Sequence, residues 1–259
     1  MSSTEILRAL AGALATGTVK VVDLTQTLCE DTPLLVLPDP FGQTAAFSRQ
    51  EISRYDDRGV AWHWNNFTVG EHTGTHFDAP VHWISGKDLP DNSVDAVPVA
   101  NFVAPAVVLD FSAQCAADAD FLLTADHIRT WEETHGAIPA GCWVLLRTDW
   151  SKRDVDGYTN RRDDGAHTPG PDTSAIDYLI AHDIVGFGVE TIGTDAGQAH
   201  LLTPPYPAHT LLHGAGRYGL QCLENLELLP PTGAMLICPP LKIRDGSGSP
   251  LRVLALVEG

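Results

Sequence analysis

Gly70-Glu71-His72-Thr73-Gly74-Thr75-His76-Phe77-Asp78-Ala79-Pro80-Val81-His82-Trp83 is the stretch of this 259-residue chain from which the rest can be read. His72, His76, Asp78 and His82 are all even-numbered, so an extended chain projects them to one face. Phe77, Ala79, Val81 and Trp83 then turn the other way, towards a core. Gly74 leaves space between the first two imidazoles, and Pro80 bends the chain before His82. A helix would also juxtapose His72 and His76, but Gly74, the β-branched Thr73 and Thr75, and Pro80 oppose one. The segment therefore reads as a strand with a chemical face and a core face.

Outward from that strand, apolar β-rich runs recur at Val19–Leu28, Ala106–Phe111, Trp143–Thr148, Ile184–Val189, Met235–Ile237 and Arg252–Val257. Several are nearly continuous, as in strands buried on both faces. Helical spacing appears at Ala125–His135 behind Thr124, and at Ser174–His182 behind Asp172-Thr173, both plausible caps. Ile6, Leu7, Leu10 and Leu14 predict an amphipathic N-terminal helix; with Glu5 and no basic n-region, it is not a signal peptide. Lys152–Pro171 is a polar loop and Gly246–Pro250 a turn. No composition shift or repeat divides the chain, so one α/β domain is expected over residues 1–259, with helices on a mixed, barrel-like sheet.

Lys and Arg number 16 against 33 Asp and Glu, for a net charge of −17. That excess argues against nucleic-acid or anionic-membrane partners, which need clustered cations. No apolar run nears the ~20 residues that span a bilayer. Five cysteines without a C-x-x-C pair read as reduced core thiols, hence a cytoplasmic location.

Two imidazoles and a carboxylate within seven residues make a facial N,N,O set suited to Zn²⁺, Mn²⁺ or Fe²⁺. The plainer reading, surface histidines on a strand, has to explain why four of eleven histidines crowd into residues 63–82. Trp62 and Trp64 precede the strand and Trp83 follows it. Core packing suffices for Trp131 and Trp143, whereas these three could wall a pocket for a flat bicyclic substrate. Gly214–Gly219 fits G-x-G-x-x-G, but a helix-like segment precedes it and prolines lie where an acidic residue belongs, so it is a decoy. There is no G-x-S-x-G to suggest a serine hydrolase.

The run His72–His82 resembles the H-x-G-T-H-x-D-x-P-x-H signature of the metal-dependent cyclase family, which contains bacterial kynurenine formamidases and isatin hydrolases. Gly188–Asp195 resembles the family's G-x-[DE]-T segment. From His209, H-T-L-L-H-G-A-G-R-Y-G-L-Q-C-L-E-N-L resembles its H-x-x-L-L-x-x-G-x-x-x-x-E-x-L-x-N-L stretch. The likeness runs from Val19 to Val257, and implies a swivelling β/β/α fold and a homodimer.

One position departs. Where two-metal members carry a ligand Glu, twelve residues after His209, this chain has Gln221; Glu224 is the ligand only if an insertion intervenes. A neutral amide weakens the case for a second cation, since close cations need anionic ligands between them. The pattern thus resembles a one-metal design, with His72, His76, Asp78 and Gln221 holding Mn²⁺ (Zn²⁺ is possible) and a small aromatic lactam as substrate. A metal there would polarise an amide carbonyl and acidify water. His82, with a near-neutral pKa, would act as general base and then protonate the leaving nitrogen. His209 is positioned by the resemblance to hydrogen-bond the developing oxyanion or the product carboxylate. The resemblance implies hydrolysis of a cyclic amide, isatin to isatinate. A two-metal arylformamidase and a non-catalytic metal-dependent binding protein are the alternatives.

Overall fold

The apolar runs become strands of one curled mixed sheet in the computed structural model, which describes residues 2–259 apart from the Asp156 side chain. At its middle lie four mutually parallel strands: β5 (Val103–Asp110), β7 (Trp143–Arg147), β11 (Gly186–Val189) and β12 (Tyr218–Gln221). Beside β5 stand β13 (Ala234–Ile237), β15 (Leu254–Glu258) and β1 (Val19–Asp23), each antiparallel to its neighbour. Beside β12 stand β4 (His76–Asp78) and β14 (Gly248–Pro250), again antiparallel. Three two-stranded pairs lie outside this sheet. They are β2 (Ser48–Asp56) with β3 (Gly59–Thr68), β6 (Leu122–Leu123) with β10 (Gly170–Pro171), and β8 (Arg161–Arg162) with β9 (Gly165–Ala166).

Alternation along the central strands builds two cores. Val107, Leu109, Val144 and Leu146 face α3 (Ala125–His135) and α5 (Thr173–Ala181), meeting Ile128, Trp131, Ile176 and Leu179. Ala106, Val108, Trp143 and Leu145 face the other way, onto Phe77, Leu220, Leu236 and Ala255 inside the curl. This double burial is what the continuous apolar runs encode. Both helices begin at the caps read from sequence: the Thr124 hydroxyl accepts from His127 N–H, and the Asp172 carboxylate from Ala175 N–H.

The metal-signature segment is less extended than parity predicts. Only His76–Asp78 pair as a strand. Gly74 takes φ +64°, placing His72 in a turn before β4, and Pro80 opens a 3₁₀ turn that ends at His82. Phe77 and Ala79 are fully buried as expected, and Phe77 meets Phe102, Trp143 and Tyr218 with ring centroids 5.3–6.3 Å apart. Trp83 departs from the pattern and faces the imidazoles, because the 3₁₀ turn rotates the chain.

Three other expectations change. Gly246–Pro250 is no mere turn: residues 248–250 form β14 against β4. Gly248 is required there, since a Cβ would lie 2.4 Å from His72 Cε1. Within the loop Lys152–Pro171 lie α4 (Val155–Tyr158) and the β8–β9 hairpin; α2 (Ser112–Ala117) follows β5. The N-terminal helix α1 (Ser3–Thr16) forms with a Ser2–Glu5 capping box, but buries none of its residues, leaving Leu7 67% exposed. The β2–β3 hairpin was not legible as an apolar run, because most of both its faces meets solvent.

Candidate active site

Asp78 is wholly buried at the centre of the imidazoles. Its Oδ1 lies 2.7 Å from His72 Nδ1 and 3.4 Å from His76 Nε2. The outer nitrogens of both rings are occupied. His76 Nδ1–H donates to the Gly74 carbonyl at 2.7 Å. The Ser247 hydroxyl donates to Glu71 at 2.7 Å, so it accepts from His72 Nε2–H at 2.8 Å. A carbonyl and an already-donating hydroxyl fix both tautomers, leaving lone pairs on His72 Nδ1 and His76 Nε2 directed at the Asp78 carboxylate. This is the outer-sphere pattern of metal-ligating histidines, and the N,N,O donor set fits a divalent ion. Burial alone would raise the Asp78 pKa. The surrounding imidazoles, His76 and His82 first, outweigh it and hold the carboxyl well below its usual range.

Around this trio stand three more histidines. His82 stacks on His72, ring centroids 3.8 Å apart, and His72, Asp78 and His82 bring donor atoms within 4.8 Å of one another. Asp78, His209 and His213 do the same. His209 sits at the start of a π-helical turn, Ala208–Leu212. Asp195 accepts from the N–H groups of Ala208 and His209 and from His209 Nδ1–H, at 2.7, 3.1 and 2.5 Å. Burial opposes a charge on His209, but the hydrogen bond and charge of Asp195 and the charge of Asp78 raise its pKa. The other two rings go the opposite way. Burial, aided by neighbouring imidazoles, pushes His213 down to about 4 and His82 to about 3 against the pull of Asp78. The near-neutral value expected for His82 is therefore corrected: desolvation keeps the ring uncharged at neutral pH and makes it a weak base.

The Cyclase family model matches residues 22–196, well over half of the sequence. The chain belongs to the cyclase family. It is 50% identical to an isatin hydrolase of Roseibium aggregatum over 99% of both chains. A crystal structure of an isatin hydrolase bound to the product analogue thioisatinate superposes with a TM-score of 0.99, at 50% identity and full coverage of both chains. A kynurenine formamidase of Geobacillus thermodenitrificans is 29% identical over 89% of this chain and 94% of its own. At the signature, His72, Asp78 and His82 form a group that could hold a metal ion.

Of the residues read from sequence, His72, His76, Asp78, His82, Trp83 and His209 are brought together. Trp83 lies between His209 and Tyr206, at centroid distances of 4.8 and 5.8 Å. Gln221 also reaches the cluster, where its amide N–H bonds Asp78 Oδ2. In this arrangement it is a partner of the carboxylate. Glu224 turns elsewhere: its backbone N–H bonds the Leu24 carbonyl, and its acidic neighbours are Asp23, Glu190 and Glu227. Trp62 and Trp64 do not join the imidazoles of their own chain. They stand 49% and 54% exposed on β3, Trp62 folding back over Gly59.

Four residues of the cluster escaped the sequence reading. His213 was legible, since H-T-L-L-H places it one helical turn from His209 on the same side. Asp195 ended a segment whose likeness to the family was plain, though nothing there says whom it bonds. Ser247 and Tyr206 carried no local signal, because only the fold brings them in.

Proposed function

We propose that this protein hydrolyses the lactam bond of isatin or a closely similar cyclic amide, using one divalent metal ion, Mn²⁺ in preference to Zn²⁺. The observation that carries this is the convergence of His72 Nδ1, His76 Nε2 and Asp78 Oδ1 with every outer ring nitrogen already tied down. The 50% identity to an isatin hydrolase, against 29% to a kynurenine formamidase, favours the lactam over an open-chain formamide.

A metal ion held by His72, His76 and Asp78, with Gln221 as fourth ligand or as the brace of Asp78, would polarise the carbonyl and acidify water beside it. His82 is the general base: its uncharged ring, stacked over His72, accepts the proton of the attacking water. As the C–N bond breaks, the same ring returns that proton to the nitrogen, leaving a carboxylate and an aromatic amine. His209, held by Asp195 through Nδ1–H and favoured by that carboxylate as the cation, would offer Nε2–H to the developing oxyanion. Trp83 and Tyr206 offer ring faces to a flat bicyclic substrate.

We further propose a cytoplasmic homodimer. The reducing compartment is supported by five free cysteines, and the second copy by the apolar face that Val60, Trp62 and Trp64 leave exposed on the hairpin. In such a dimer Trp62 and Trp64 act as substrate contacts only by reaching the other copy's site.

The arylformamidase reading has one observation in its favour, the second trio Asp78, His209 and His213. Competing isatin against N-formylkynurenine on one metal-loaded preparation decides the matter. Isatin is expected to show the higher kcat/KM, and a tenfold preference for the formamide overturns the proposal.

A further inference from the structure

His213 is 1% exposed, and its two ring nitrogens are unequal. Nδ1 lies 3.1 Å from the Arg217 carbonyl, an oxygen that can only accept, so Nδ1 carries the proton and Nε2 a lone pair. Nε2 is buried and has no hydrogen-bond partner among the described residues. An unpartnered buried acceptor costs free energy that a fold normally avoids, and at an active site it signals a bond reserved for a ligand. The ring belongs to the trio of His209, His213 and Asp78, and its centroid is 5.6 Å from His209 and 6.1 Å from His82.

The rings around Asp78 thus differ in what they offer a substrate. His209 spends its Nδ1–H on Asp195, whereas His213 keeps an acceptor that nothing among the described residues uses. A secondary lactam presents the complement: carbonyl oxygens that accept, and one N–H that donates, bonded directly to the carbon under attack. We infer that His213 Nε2 accepts the N–H of the scissile amide and so restricts the enzyme to substrates with an unsubstituted amide nitrogen. The inference rests on the lactam reading above and adds to it a specificity-determining residue. Because the ring-opened amine keeps its N–H, the contact persists through the reaction. Its loss therefore falls mainly on binding of the substrate.

The test compares isatin with N-methylisatin on the metal-loaded wild-type enzyme and on the His213→Phe and His213→Gln variants. For wild type, kcat/KM for N-methylisatin is expected to be at least tenfold lower, since methylation removes the donor and strands the acceptor. His213→Phe should raise KM for isatin and bring the two substrates within twofold of each other. His213→Gln, whose amide oxygen can accept, should restore part of the discrimination. A merely structural His213 would leave the ratio between substrates unchanged. Equal turnover of both compounds by wild type overturns the inference and leaves the lactam proposal standing, and this arm holds even if the variants fail to fold. Turnover of neither overturns both. A second metal ion per chain that disappears in His213→Phe also overturns the inference, because the lone pair then serves a cation.

Discussion

The β2–β3 hairpin and the β4 segment follow one another along the chain, and both carry the side chains that first suggest chemistry. Their environments are opposite. At β4, Phe77 locks the strand into the inner core while three of the imidazoles gathered there are each held by a second partner: Gly74 for His76, Ser247 for His72, Asp195 for His209. On the hairpin, Val60 is 78% exposed and Trp64 is more than half exposed. An active site is therefore marked by side chains whose freedom the surroundings remove, and proximity in sequence does not confer that. The aromatic group that meets the imidazoles is Trp83, on the far side of the segment, helped by Tyr206 from 123 residues further on.

This contrast can be broken by substitution. Phe77→Ala should cost about 3–5 kcal/mol of stability, as for a fully buried aromatic ring, whereas Trp64→Ala should change the stability of the isolated chain by no more than about 0.5 kcal/mol. Chemical denaturation measures both. If Trp64→Ala instead lowers the apparent stability in proportion to protein dilution, the hairpin is buried in a dimer, and its exposure is that of a surface awaiting a second copy.

Within the cluster, His82→Ala separates catalysis from ligation. The rate should fall by ~10²–10⁴-fold with metal content unchanged, the share expected of a general acid–base group. Metal and activity declining together would make His82 a ligand. Because burial keeps His82 uncharged, the acid limb of the pH–rate profile should not show the ordinary imidazole pKa of this residue.

How much of this was legible beforehand follows the same division. Burial on both faces writes a continuous apolar run, so β5, β7, β11, β13 and β15 could be read directly, and the caps Thr124 and Asp172 located α3 and α5. Ligand residues must be of particular types at short spacing, so His72, His76 and Asp78 stood out. Partners supplied by distant loops leave no such trace: Ser247 sat in an apparent turn, and spacing cannot tell which of the Gln221 amide atoms faces Asp78. For Trp62 and Trp64, residue type indicates what a side chain could touch, and only topology and assembly decide whether it does.

A third region combines the two characters and gives the smallest predicted effect. The loop bearing β8 and β9 is polar and largely exposed, yet His167 pins it, with Nε2 2.9 Å from Asp164 and Nδ1 2.8 Å from Asp120. Those hydrogen bonds, Asp164 first, raise the His167 pKa against desolvation and the charge of Arg162. A raised folded-state pKa contributes stability that is complete below the unfolded value of about 6.5 and is lost as pH rises through the folded value. The Tm difference between wild type and His167→Gln should therefore shrink from pH 6 to pH 9. A difference that stays constant or grows would show that the imidazolium does not fasten the loop.

The central claim is that the lone pairs gathered around Asp78 hold the one metal ion on which lactam hydrolysis depends. Its most direct test is to strip wild type and Asp78→Asn with a chelator, add Mn²⁺ back stepwise, and follow bound metal and isatin hydrolysis in the same samples. Activity of the wild type should rise in step with bound metal and level off at one ion per chain, while Asp78→Asn recovers neither. Full activity in the stripped enzyme, or an Asp78→Asn variant that regains both metal and turnover, would contradict the account.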